Sequence, residues 1–186
     1  MFKRILAILG LLFFVSALTG FLFGYMPYVF KRDTFQKDYE ELVEKYSQEF
    51  GVDESYVYAV IKVESNFEPN AKSDAGAIGL MQIIEDSFVW VSKKLEITDL
   101  TFEDMYTPEH SIKYGCFMLS YLYDKYSSYE LASAAYHAGM TTVDNWLAAG
   151  IVDADNLDIE DIQGDNTRYY VKKIMRAFDK YSNSND

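Results

Sequence analysis

The chemistry of this chain starts from one misplaced carboxylate. Val57, Val60 and Ile61 precede Glu64 by seven, four and three positions, the spacing that stacks side chains on one face of a helix. Glu64 therefore continues an apolar stripe, and it stands in the last turn before Pro69 excludes further helix. Partial burial and the negative end of the helix dipole both disfavour a charged carboxylate there. Its pKa is expected to rise, and a carboxyl group with a raised pKa is a usable general acid. A helix end turned to solvent is the plainer alternative.

Two other clusters could surround such an acid. Ser73 to Gln82 reads SDAGAIGLMQ, in which small residues and two glycines allow backbone to approach a ligand closely. Gln82 adds two donors and an acceptor, although by itself the segment reads as a loop before a helix. Ala134 to Gly139 reads AAYHAG, where small neighbours leave Tyr136 and His137 prominent.

The elements that must position these groups are helices. Three prolines and ten glycines are few for 186 residues, and apolar residues recur at three- and four-residue spacing, so the fold class expected is mostly α. Leu42, Val43, Tyr46 and Phe50 form one stripe, which Gly51 ends; Asp53 caps the next helix. Asn70 to Gly79 is expected as a loop, and a helix with breaks over Leu80 to Leu95. Thr107 followed by Pro108 starts a buried helix carrying Ile112, Gly115, Met118, Leu119 and Leu122. Leu131 to His137, Val143 to Leu147 and Thr167 to Tyr181 complete the set, the last with a basic face. The aromatic stripe of Tyr114, Phe117 and Tyr121 is expected to serve packing before it serves ligand binding.

Composition excludes several functions. The chain carries 17 basic and 29 acidic residues, a net charge of -12, and the only basic residues before Lys31 are Lys3 and Arg4. A body this acidic, with no Lys/Arg stripe that could locally reverse the field, repels phosphate backbones, so no nucleic acid partner is expected. The lone Cys116 permits neither an internal disulfide nor a cysteine-built metal site. His110 and His137 belong to no metal motif. The acidic run Asp153, Asp155, Asp158, Glu160, Asp161 and Asp165 lacks EF-hand spacing and reads as a solvated loop. No metal and no cofactor is expected.

The N-terminus carries a membrane signal. Ile5 to Met26 runs without a charge, and as a helix it spans about 33 Å against a hydrocarbon thickness of roughly 30 Å. The small-residue cleavage pattern around Ser16 to Thr19 is poor, which favours a retained single-pass anchor over a cleaved signal. Either reading exports the body. The expected division is residues 1–30 as anchor and 31–186 as a catalytic domain on the extracytoplasmic side of a bacterial membrane, facing the cell wall.

Taken in order, Glu64-Ser65, GLMQ at Gly79 to Gln82, AAYHAG and TRYYVKKI resemble the lytic transglycosylase family, the soluble lytic transglycosylase catalytic domain with its goose-type lysozyme-like α-helical fold. The resemblance covers roughly Phe35 to Tyr181. It implies cleavage of the β-1,4 bond between N-acetylmuramic acid and N-acetylglucosamine in peptidoglycan glycan strands. It also implies Glu64 as catalytic acid, Ser65 as its positioning neighbour, Met81 and Gln82 in the substrate groove, and Tyr136 and Tyr170 as active-site tyrosines. His137 and Asn166 depart from the pattern, which usually has asparagine and glutamate there. Histidine keeps the capacity to hydrogen bond a ligand but differs in shape and charge.

A hydrolase of this kind usually needs two carboxyl groups, and only Glu64 is an obvious candidate, with Asp74 as a possible second. One carboxyl suffices if it protonates the glycosidic oxygen and then, as carboxylate, takes the proton of the sugar's own 6-hydroxyl, leaving a 1,6-anhydromuramoyl end. A hydrolytic goose-type lysozyme and a non-catalytic glycan-binding scaffold are the alternatives.

Overall fold

Between residues 36 and 183 seven α-helices follow one another, joined by turns and two short 3-10 segments. The computed structural model describes these residues together with Ser16 and residues 19–21. The expected anchor, Ile5 to Met26, lies almost wholly outside the described residues. Among those described, no helix is long and apolar enough to cross a membrane.

The first helix, α1 (Glu40–Phe50), ends at Gly51, whose φ of 69° is a left-handed stop. The second, α2 (Glu54–Glu64), starts on Asp53, whose carboxylate accepts from the backbone N–H of Ser55 at 2.7 Å and of Tyr56 at 3.3 Å. Every residue from Ser55 to Ile61 is buried, so α2 is a core helix rather than an amphipathic surface one.

The third helix, α3 (Glu85–Leu95), begins five residues later than the apolar pattern of Leu80 onward suggests. Leu80, Met81 and Ile83 are buried, but in a tight turn, not a helix. Gly79 and Gln82 hold positive φ angles of 78° and 48°, and Ile78 bridges both Lys72 and Ile83 in antiparallel fashion. An apolar run therefore satisfies its backbone in a bridge and still reaches the core, which periodicity alone does not distinguish from a buried helix.

Pro108 opens α4 (Pro108–Tyr126), the long helix expected from its Thr-Pro start. Then come α5 (Tyr129–Ala138), α6 (Met140–Ala148) and the closing α7 (Asp165–Asn183). The α2 helix packs most extensively against α7, while α5 lies against both α4 and α7. Tyr56 fixes the α2–α5 junction, its hydroxyl 2.8 Å from the Ser133 hydroxyl. The core is continuous through Val57, Val60 and Ile61 of α2, Ile112 and Leu119 of α4, Leu131 and Ala134 of α5, and Val171 and Ile174 of α7. Burial of each large aliphatic side chain contributes about 1.5–3 kcal/mol.

The expected aromatic stripe is packing. Tyr114 stacks on Phe88 at 5.5 Å, and Phe117 and Tyr121 enclose Trp90 at 5.7 and 4.9 Å. Cys116 is buried, and its burial holds the thiol far above its ordinary pKa. The acidic run after Val152 is tied into caps and ion pairs: Asp158 caps the 3-10 turn Ile159–Asp161, and Glu160 pairs with Lys172 and Arg168 of α7.

Candidate active site

Glu64 is the last residue of α2, and the chain leaves the helix at once. Asn66 and Phe67 both adopt left-handed backbone, φ 52° and 66°, a conformation that costs a non-glycine residue about 1–2 kcal/mol. The Phe67 ring is buried beside Tyr58 at 6.3 Å, and Lys62 Nζ donates to Asn66 Oδ1 at 2.6 Å. These contacts hold the strained turn, and the turn leaves Glu64 at an edge between α2, α5 and α7. Backbone strain of this kind concentrates where a site must be held in one geometry.

The Glu64 carboxyl is partly buried, and burial raises its pKa from an ordinary 4.5 to about 7. Two groups work in the other direction. The Tyr170 hydroxyl donates to Glu64 Oε1 at 2.6 Å, and the positive charge of Lys173, one turn further along α7, favours the carboxylate. Burial wins. Among the described residues no second carboxylate contributes to the shift; Asp74 and Glu68 are both exposed.

Tyr170 is buried, and Glu64 together with burial holds its phenol well above the ordinary value, so it stays a donor. Tyr136 of α5 is in the same state, and its hydroxyl donates to the main-chain carbonyl of Met81 at 2.6 Å. The structure thus brings Glu64, Tyr136 and Tyr170 together from three helices, with the turn of Gly79 to Gln82 tied to the second of them.

The GLMQ turn is built on close approach. A Cβ on Gly79 would lie 2.0 Å from the carbonyl oxygen of Met105, and one on Gly115 would lie 2.0 Å from the Met81 sulfur. Only glycine at these two positions lets the turn sit on α4 and the preceding 3-10 segment Phe102–Tyr106. Ser111 of α4 secures it further, its hydroxyl accepting from the Met81 N–H at 3.1 Å.

Three residues expected at the groove do something different. Met81 has a fully buried side chain packed where Gly115 leaves room, so what it turns toward the site is its carbonyl, held by Tyr136. Ser65 turns its hydroxyl back onto its own helix, donating to the Ile61 carbonyl at 3.2 Å. Gln82 uses its amide nitrogen on the carbonyls of Ala71 and Gly79, at 3.2 and 2.9 Å, which closes the loop of residues 71–82. For Ser65 and Gln82 a polar group near a chain reversal finds a nearby backbone partner, a competition that sequence spacing does not reveal.

His137, at the end of α5, keeps part of its surface exposed while its ring rests against α7. Its ring lies 4.6 Å from that of Tyr170 with a 32° tilt, and Nδ1 is 3.2 Å from the hydroxyl of Thr167. Asn166 is exposed at the start of α7. Beside Tyr136 and His137 a cavity of about 390 Å³ opens, lined among others by Ile84, Trp90, Met118 and Leu122. Sequence reasoning missed this apolar cavity. Its lining comes from α3, α4, α5 and the start of α6, elements that meet only in the folded chain.

The chain resembles known proteins over the whole of this region. A family model described as the transglycosylase SLT domain matches residues 41–156. The soluble lytic murein transglycosylase of Salmonella typhimurium is 35% identical over 153 residues, 80% of this chain and 23% of that protein. The membrane-bound lytic murein transglycosylase C of Glaesserella parasuis is 30% identical over 171 residues, 78% of this chain and 46% of that protein. Among solved structures, the 70 kDa soluble lytic transglycosylase of Escherichia coli superposes with a TM-score of 0.71 at 33% identity, over 79% of this chain and 24% of its own. An inactive Glu-to-Gln variant of the lytic transglycosylase Slt from Pseudomonas aeruginosa superposes with 0.72 at 28% identity, over 81% and 25%. The chain spans about a quarter of the length of the soluble relative. With the match running from α1 through the AAYHAG segment, the chain belongs to the transglycosylase SLT domain family.

Proposed function

We propose that the chain is a peptidoglycan lytic transglycosylase, with residues 31–186 as its catalytic domain and residues 1–30 as a single-pass anchor that keeps it against the cell wall. The observation that carries the activity is the lone Glu64 carboxyl, poised at about 7 and hydrogen-bonded by Tyr170. At neutral pH a group of this pKa is present in both forms, as a proton donor to the glycosidic oxygen and as a base afterwards. The carboxylate so formed removes the 6-hydroxyl proton of the muramoyl unit, that oxygen closes on the anomeric carbon, and a 1,6-anhydro end results. Tyr170 stabilises the carboxylate by hydrogen bonding between the two steps. The Met81 carbonyl, held by Tyr136, Gln82 of the closed loop and the apolar cavity beside His137 supply surfaces for the glycan, and Ser65 completes the helix end behind the acid.

Support for the substrate comes from the soluble and membrane-bound relatives, both named murein transglycosylases, and support for the acid from the inactive Glu-to-Gln relative. The exposure of Asp74 and Glu68 favours the lyase over a two-carboxylate hydrolase. Mass spectrometry of peptidoglycan incubated with the protein tests this. Anhydromuramoyl ends are expected from the parent chain and none from Glu64→Gln; reducing ends carrying added water would assign the reaction to a hydrolase, and intact bound glycan to a scaffold.

A further inference from the structure

His137 stands where the family pattern usually has asparagine, and its contacts run to the catalytic apparatus rather than outward. Thr167 and Tyr170 are three residues apart on α7 and share one face of it. The imidazole reaches both from α5: Nδ1 meets the Thr167 hydroxyl at 3.2 Å while the ring lies against the phenol ring at 4.6 Å. Tyr170 in turn donates to Glu64 at 2.6 Å. We propose that His137 is a positioning residue for the acid, anchored on Thr167 and laid on Tyr170 so that the tyrosine hydroxyl is kept aimed at Glu64. This rests on Glu64 being the acid of the proposed reaction. Asparagine can reach a threonine hydroxyl but has no ring with which to cover the tyrosine.

The electrostatics of the site are compatible with that role. The groups facing His137 are Tyr170 and Thr167 from α7, and Asp86 at the start of α3 lines the same cavity. Burial alone moves the imidazole pKa, and it moves it down, so the ring is neutral around pH 7 and packs as an uncharged aromatic. The groups facing Glu64 are Tyr170 and Lys173 from α7 and Tyr136 from α5. Of these, the Tyr170 hydrogen bond is what His137 controls. Loosening it removes an influence that lowers the Glu64 pKa, so the titration of Glu64 moves upward from about 7.

The test is a carbon NMR titration of the Glu64 carboxyl, alongside kcat and KM on purified glycan, in the full-length chain and its variants. In His137→Ala and His137→Asn the Glu64 midpoint is expected to move up, in the same direction as in Tyr170→Phe and by less. The kcat falls about 3- to 10-fold, the ordinary worth of an aromatic pair, while KM stays within about twofold. His137→Phe restores the ring and recovers most of the midpoint and rate. Adding His137→Ala to Tyr170→Phe produces no further midpoint change. A rise in KM with an unmoved midpoint would make His137 a glycan contact and overturn the proposal, as would a phenylalanine variant no better than alanine. The carboxyl titration needs no turnover, so an inactive parent chain would count against the proposed activity while the role of His137 was still decided.

Discussion

A single carboxyl group held at about 7 has a thermodynamic consequence that can be read without substrate. The folded protein raises the Glu64 pKa above its ordinary 4.5, so it disfavours the charged form. Below about pH 4.5 the group is protonated whether folded or not and contributes no penalty. As pH rises toward 7 the unfolded chain loses its proton first, folding becomes progressively less favourable, and above 7 the full penalty of about 3 kcal/mol remains. Glu64→Gln cannot ionise. Its melting temperature is therefore expected to exceed that of the parent at pH 8, by about 2–4 °C for each kcal/mol, and to converge with it near pH 4. A difference that did not change with pH would show that Glu64 is not a strained acid. The same residue illustrates what spacing can deliver: position on an apolar stripe and at a helix end is readable from Val57, Val60 and Ile61, and so is the direction of the shift. Its hydrogen bond to Tyr170, 106 residues away, is not.

At the level of elements, the site depends on the turn that carries Met81 and Gln82. Gly79 and Gly139 both hold positive φ, 78° and 88°, yet their surroundings differ completely. A methyl group on Gly79 meets the Met105 carbonyl, whereas one on Gly139 meets nothing within 4 Å. Gly79→Ala is expected to lose roughly 3 kcal/mol or more, because backbone must move to relieve the clash. Gly139→Ala meets no clash and loses only the strain of its φ 88°, ψ 147° backbone, about 1–3 kcal/mol. Urea unfolding of both variants measures this, and equal losses would mean that the turn does not rest on the 3-10 segment. Activity should follow the same order, since a displaced turn carries the Met81 carbonyl away from Tyr136. The sequence predicts helix from Leu80 because Leu80, Met81 and Ile83 are apolar. Competing bridge pairing of Ile78 with Ile83, forced by two left-handed residues, decided otherwise.

For the whole molecule, charge bears on the proposed anchor. From Lys31 to the end the chain holds 15 basic and 29 acidic residues, a net charge of -14. Such a body has no electrostatic affinity for anionic lipid, so the proposed membrane association rests on the apolar N-terminal segment alone. Cell fractionation is expected to place the full chain with membranes, resistant to high salt, and to place a chain lacking residues 1–30 in the soluble fraction with its glycan-cleaving activity intact. Recovery of the shortened chain with membranes would remove the proposed anchor. If the proposed anchor holds the proposed activity at the membrane, cutting is confined to wall close to the bilayer.

The sequence by itself determined the helical class, most helix boundaries and the place of Glu64 on an apolar stripe at a helix end. Periodicity, the Asp53 cap, the Thr107-Pro108 start and the Gly51 stop are local signals, and local signals survive in one dimension. Tertiary structure decided which polar groups face the acid and which turn away. Met81, Ser65 and Gln82 all find partners in backbone or core, while His137 reaches across to α7. Ser65 and Gln82 settle on nearby backbone, whereas the Tyr136–Met81, His137–Thr167 and Tyr170–Glu64 contacts join residues distant in sequence, and only the packing of the helices against one another sets their distances.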